Sequence, residues 1–134
     1  MKILNSAKRW NHNTNYQENP FLYTYTEDCS GMYVCNPYKD DLLNLWKFSN
    51  KDSALKSAKD LYSYFLRMIK ENDFVGADLA RKYMLAGCNK KSIPSLSREV
   101  FENFYFKVES NKKYISLKEE FLKKQKEFKV KKKK

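Results

Sequence analysis

The sequence predicts an α+β fold, a single domain in which an N-terminal β-hairpin packs on a small bundle of about four helices. A length and two patterns lead there. The chain has 134 residues, room for one ordinary domain. Residues 21–26 (FLYTYT) and 32–35 (MYVC) are rich in aromatic and β-branched side chains. They flank the polar residues 27–31, so the stretch reads as two strands joined by a Gly-containing loop. From about Lys51 onward apolar residues recur with the period of amphipathic helices.

Each element has a local reason. Residues 1–19 carry Asn5, Asn11, Asn13, Asn15 and Asn19 with few apolar groups, and read as a flexible arm. The hairpin follows from Pro20, and Asn36-Pro37 ends its second strand because Pro cannot donate to a ladder. A lone hairpin is marginal in water, so its aromatic face must lie on helices. Residues 40–46 make a short helical turn offering Leu42, Leu43, Leu45 and Trp46. A first long helix over residues 51–70 opens on Ser49 and Asp52, and its stripe is Ala54, Ala58, Leu61, Tyr62, Phe65, Met68 and Ile69. Asp73 starts a second helix that runs to Ala86, with Gly87 in the place of a left-handed C-cap. After Pro94, Ser95 or Ser97 caps a third, with Val100, Phe101, Phe104 and Val108 on one side. Asn111 caps a fourth, whose narrow seam is Tyr114, Leu117, Phe121 and Phe128. The expected organisation is an arm over residues 1–19, a compact domain over 20–122 and a Lys-rich disordered tail over 123–134.

Composition bounds the function classes. Leu, Ile, Val and Phe are about 23% of the chain, just above the ~20% below which charged chains stay unfolded. The aromatic content of 16% favours folding, since each ring can bury roughly 150–250 Å². Three Gly, three Pro and three Cys exclude collagen-like and disulfide-dense scaffolds. No apolar run approaches the ~18 residues of a membrane span, and the first ten residues lack a signal-peptide core. The expectation is a soluble, intracellular protein without membrane contact: cytoplasmic, or in a host cell or virion if viral, with nuclear import through the tail possible in a eukaryote. The formal charge of +11 is uneven. Residues 1–40 are neutral, 41–88 carry +2 and 89–134 carry +9, of which +7 lies in residues 123–134.

Candidate chemistry is sparse. The single histidine, His12, lies in the Asn-rich arm, with no framework to orient it beside a nucleophile. The glycines at 31, 76 and 87 stand alone, so no phosphate loop is present. Cys29, Cys35, Cys88 and His12 have the chemistry of a structural zinc set, but the spacing lacks a tight ligand knuckle, and metal binding is disfavoured. No cofactor is expected. The candidate polar site is Asp73, Gly76, Asp78, Arg81 and Lys82. Asp78 is three residues from Arg81 and four from Lys82, so these three share a helical face, and Gly76 marks a close approach to the backbone. Surface ion pairs and helix packing at Gly76 are the simpler account of the same residues. The candidate polyanion-binding tail is Lys123, Lys124, Lys126, Lys129, Lys131, Lys132, Lys133 and Lys134. Lys outnumbers Arg 23 to 4, which favours phosphate neutralisation over base reading, although AT-rich coding would leave the same bias.

Residues 36–39 (NPYK), 46–48 (WKF) and 73–78 (DFVGAD), then Ala80-Arg81-Lys82 and Gly87, resemble successive blocks of the DUF4385 family. Its members are short proteins of bacteria, phages, other viruses and some eukaryotes, and its domain has no known function. Residues 114–121 are similar to the family's last helix, so the resemblance spans roughly residues 16–122. It implies one compact domain and no known activity, cofactor or partner. After Gly87 family members carry a longer basic segment, where this chain has only residues 88–93 before Pro94.

The functional expectation is a small non-enzymatic binding module whose polycationic tail engages nucleic acid or another polyanion non-specifically. Two alternatives stand beside it. One is a protein–protein adaptor or virion-associated structural component, and the other an enzyme with a polar site around Asp78 and Arg81.

Overall fold

A computed structural model of the chain describes residues 10–133, with side chains through residue 130. It is all-helical. The elements are α1 (Tyr38–Leu45), α2 (Lys51–Lys70), α3 (Phe74–Asn89), α4 (Ser95–Glu109) and α5 (Lys112–Lys133), preceded by a single 3-10 turn at Pro20–Leu22. Among the described residues there is no strand, and the β geometry is an isolated bridge between Asn15 and Asn36. The expected α+β class and its N-terminal hairpin are therefore wrong.

The reason lies in how residues 10–37 satisfy their backbone. Pro20 starts a 3-10 turn where the first strand was expected. Residues 29–34 form successive turns, with Met32 N–H donating to Cys29 O (3.2 Å) and Val34 N–H to Gly31 O (3.0 Å). Gly31 has φ +88°, a conformation that other residues rarely adopt, and an added Cβ would lie 2.6 Å from the Trp10 ring. Helix side chains then take up the carbonyls that a ladder would have paired. Gln125 Nε2 donates to Phe21 O (2.9 Å) and Tyr23 O (2.6 Å), and Tyr83 Oη donates to Met32 O (2.6 Å). The alternating rings that looked like a strand are an extended wrap: Tyr23 is buried, while Phe21 and Tyr25 are half-buried against the core. Trp10 and Tyr16 are also buried there, while residues 11–13 and 17–19 are exposed.

α2, α3 and α4 make the most extensive mutual contacts and form the core. The cap of α2 is one residue from its expected place: Asn50 accepts from Ser53 N–H (2.9 Å) and Ser53 Oγ accepts from Asn50 N–H (3.1 Å). Tyr64 is buried on α2 where Tyr62, half-buried, was expected. α3 is buried on nearly every side from Phe74 to Met84, which makes it the central helix. It continues through Gly87 to Asn89, so Gly87 is no C-cap. Its bare face receives the Phe101 ring of α4. Ser95 and Ser97 do not cap α4, which follows Pro94, and Ser97 is buried inside the helix. Asn111 caps α5 by accepting from Tyr114 N–H (2.9 Å). α5 runs without a break through Lys133, so its backbone shows no boundary at residue 122.

Candidate functional site

Asp78 stands on the central helix with its side chain fully buried. Its carboxylate joins three parts of the chain. Oδ1 accepts from Arg81 Nε (2.7 Å) in α3 and from Tyr114 Oη (2.6 Å) in α5. Oδ2 accepts from Tyr23 Oη in the N-terminal wrap. Lys82 Nζ lies 4.0 Å from Oδ2, a through-space attraction rather than a hydrogen bond.

The two cations have further partners in the wrap. Arg81 donates through Nη2 to Thr26 O (2.6 Å) and through Nη1 to Glu27 O (3.2 Å). Lys82 donates to Ser30 O (2.7 Å), with its ammonium 5.0 Å from the Trp10 ring centre and 4.7 Å from that of Tyr23. A buried charge is tolerated only when paired and hydrogen-bonded, and here the carbonyls of an irregular segment serve that need. Burial pulls the Lys82 pKa down to about 8, with Asp78 raising it part of the way back and Arg81 pushing it lower. Burial also works against the Arg81 charge, but Asp78 outweighs it and holds the guanidinium above its ordinary value. Tyr23 and Tyr114 are raised, first by burial and then by the adjacent Asp78 charge. Both therefore stay protonated and donate to Asp78.

The other expected residues divide between structure and surface. Asp73 caps α3, accepting from Gly76 N–H (3.0 Å) and from Tyr38 Oη (2.5 Å). An added Cβ on Gly76 would come within 2.5 Å of Met68 Sδ, so that glycine serves packing. Asp73 and Gly76 thus sit in the first turn of α3 and belong to a second group of contacts. Arg81 borders a surface hollow of about 540 Å³, lined also by Tyr25, Glu27, Tyr105 and Lys118. Cys35 is buried, and burial raises its thiol pKa to about 12. The Sγ of Cys29 donates to Lys82 O and that of Cys88 to Met84 O, both at 3.3 Å, while His12 is exposed. Among the described residues no group of three or more His, Cys, Asp or Glu is placed to hold a metal ion. Lys123, Lys124, Lys126 and Lys129 are exposed on α5, and Lys124 pairs with Glu120 at 2.7 Å. Lys131, Lys132 and Lys133 continue the same helix, and Lys134 lies outside the described residues.

Tyr23, Tyr83, Tyr114 and Gln125 were missed as polar partners. Tyr114 fell within the predicted apolar seam of the last helix, where its ring belongs, but nothing local to it indicated that its hydroxyl meets a carboxylate 36 residues away.

The fold and node describe a small helical module closed around a buried carboxylate. The chain belongs to the family described as Domain of unknown function (DUF4385), which matches residues 7–94, about two thirds of its length. The match ends before α4, so residues 114–121, where a resemblance was also expected, lie outside it. No curated protein and no solved structure matches the chain. No helix among the described residues is long and apolar enough to cross a membrane.

Proposed function

We propose that this protein is a non-enzymatic binding module that engages nucleic acid or another polyanion, without base specificity, through the lysines of α5. The observation that carries the reading is the outward face of that helix. α5 contains ten Lys against three Glu, and Lys123, Lys124, Lys126 and Lys129 are exposed beside a seam that faces inward through Phe121 and Gln125. Helical spacing distributes these ammonium groups along a rod, where they can neutralise successive phosphates as point charges. A non-enzymatic role is supported by the closure of the Asp78 node: a carboxylate with both oxygens engaged and no solvent exposure has no face for a substrate.

The test is binding of a short DNA duplex, a single strand and heparin by fluorescence anisotropy across a salt series. Full-length protein is compared with a variant carrying Lys→Gln at positions 123, 124, 126, 129 and 131–134. Substitution is preferable to truncation because Gln125 and Phe128 lie in the same stretch and hold Phe21. For duplex DNA the log–log salt slope is expected to be no steeper than about −7, from ~0.9 per neutralised phosphate. The variant should lose most binding to every polyanion. Undiminished binding by the variant, or none by the full-length chain at low salt, would overturn the reading.

A further inference from the structure

Arg81 brings a charged side chain, 1% exposed, to the wall of the hollow of about 540 Å³ between the wrap, α3, α4 and α5. A guanidinium has five N–H groups. Asp78, Thr26 O and Glu27 O take three of them, and one remains on each terminal nitrogen. The Tyr105 hydroxyl lies close enough to feel that charge: burial raises its pKa to about 12, and Arg81 works against the rise. Lys118 supplies a second cation to the same wall. Tyr25 holds it, accepting from Nζ at Oη (3.2 Å) with the ammonium 4.5 Å from the ring centre, and a neutral phenol leaves its charge in place. Carboxylates line the hollow too. Glu27 is exposed, and Glu109 has Oε1 fixed by Tyr105 Oη at 3.0 Å. Asp28 lies there as well, accepting from Ser30 N–H (3.0 Å).

A second hollow, of about 480 Å³, adjoins the first and shares Leu85, Asn89, Tyr105 and Glu109 with it. It adds Glu102, the half-buried Cys88 and Phe106, which at 72% is the most exposed large hydrophobic side chain among the described residues. Leu85, Cys88 and Phe106 therefore offer apolar surface next to the charged groups of the first hollow.

We propose that the two hollows together bind a free α-amino acid with an apolar side chain. Its carboxylate lies on Arg81 and Lys118, its ammonium on Glu27 and Glu109, and its side chain on Leu85, Cys88 and Phe106. Charge selects the class. A simple anion would meet Glu27, Asp28 and Glu109, and a simple cation would meet Arg81 and Lys118, whereas a dipolar ion answers both. The remaining Arg81 N–H groups and Lys118 give a carboxylate charge-assisted hydrogen bonds. Size agrees, since pockets for small molecules run to roughly 300–1,000 Å³. Asp78 stays behind Arg81 and takes no part, so the ligand is held and not transformed. The site is independent of polyanion binding, because Lys118 is not among the eight lysines that carry that reading.

Isothermal titration calorimetry on the full chain with L-leucine, L-methionine and L-phenylalanine tests this. The tightest of the three is then compared with its N-acetyl form, which lacks the ammonium, and its decarboxylated amine, which lacks the carboxylate. At least one amino acid should bind one to one with a Kd below about 1 mM. Each blocked form should bind about tenfold more weakly or worse, because it leaves the site's charged groups unanswered. This ligand series needs no variant, so it stands whatever a substitution does to folding. Lys118→Gln, Glu109→Gln and Phe106→Ser, none of them at a buried position, should each weaken binding by about tenfold. No saturable binding of any of the three up to about 10 mM overturns the proposal. So does a blocked form that binds as tightly as the amino acid, or native affinity in both Lys118→Gln and Glu109→Gln.

Discussion

Lys82 shows how one residue couples the centre of the fold to its pH response. Its folded pKa of about 8 lies below the ~10.4 of an unfolded lysine, so between these values the unfolded chain binds more protons. Stability therefore rises with pH across that window through this residue. The raised tyrosines Tyr23 and Tyr114 act oppositely, contributing stability that is lost above pH 10, and the buried Cys35 and half-buried Cys88 thiols, each pushed up to about 12, do so above pH 9. Comparison with Lys82→Met isolates the lysine. From pH 7.5 to 9.5 the native protein should gain stability relative to the variant, by an amount on the order of 1–3 kcal/mol in urea denaturation. A difference that stays flat across that range would mean that the ammonium is not confined as the geometry describes.

At the scale of the element, helices were legible and their neighbours were not. Apolar spacing is local information, and it led to α2 and to the α5 seam within a residue or two. Asp78, Arg81 and Lys82 could be placed on one face for the same reason. The wrap over residues 20–35 was misread because a two-residue alternation of rings is common to a strand and to an extended segment pressed on a helix. What decides between them is whether donors come from a neighbouring strand or from side chains, and Arg81, Tyr83 and Gln125 lie 51 to 104 residues away. Gly87 was misread for a related reason: a glycine near a helix end has the same local signature whether it caps the helix or admits a ring. In an open helix Gly87→Ala would stabilise by ~1 kcal/mol. Here the added methyl meets the buried Phe101 ring, and overpacking of that kind costs about 1–3 kcal/mol. The variant should be net destabilised, by up to about 2 kcal/mol, and Phe101→Leu in the same chain should recover part of the loss. An increase in Tm on Gly87→Ala alone would show that the ring yields freely.

For the whole molecule, α5 is both a charged surface and a structural strut. A chain ending at Leu122 would lose the two carbonyl hydrogen bonds of Gln125 and the Phe21–Phe128 ring contact at 5.4 Å. Leaving those carbonyls unpaired and removing the ring should lower stability by about 2–4 kcal/mol. Limited proteolysis should then cut first within residues 17–30, before the α2–α4 core opens; equal resistance in both chains would count against the strut. The same long reach bears on synthesis. Residues 10–37 leave the ribosome before α3 and α5, yet the partners of their carbonyls and hydroxyls lie in those helices, as far as 104 residues later. Until those arrive, Trp10, Tyr16 and Tyr23 have no core to enter, so a segment made before its partners is seated only after them.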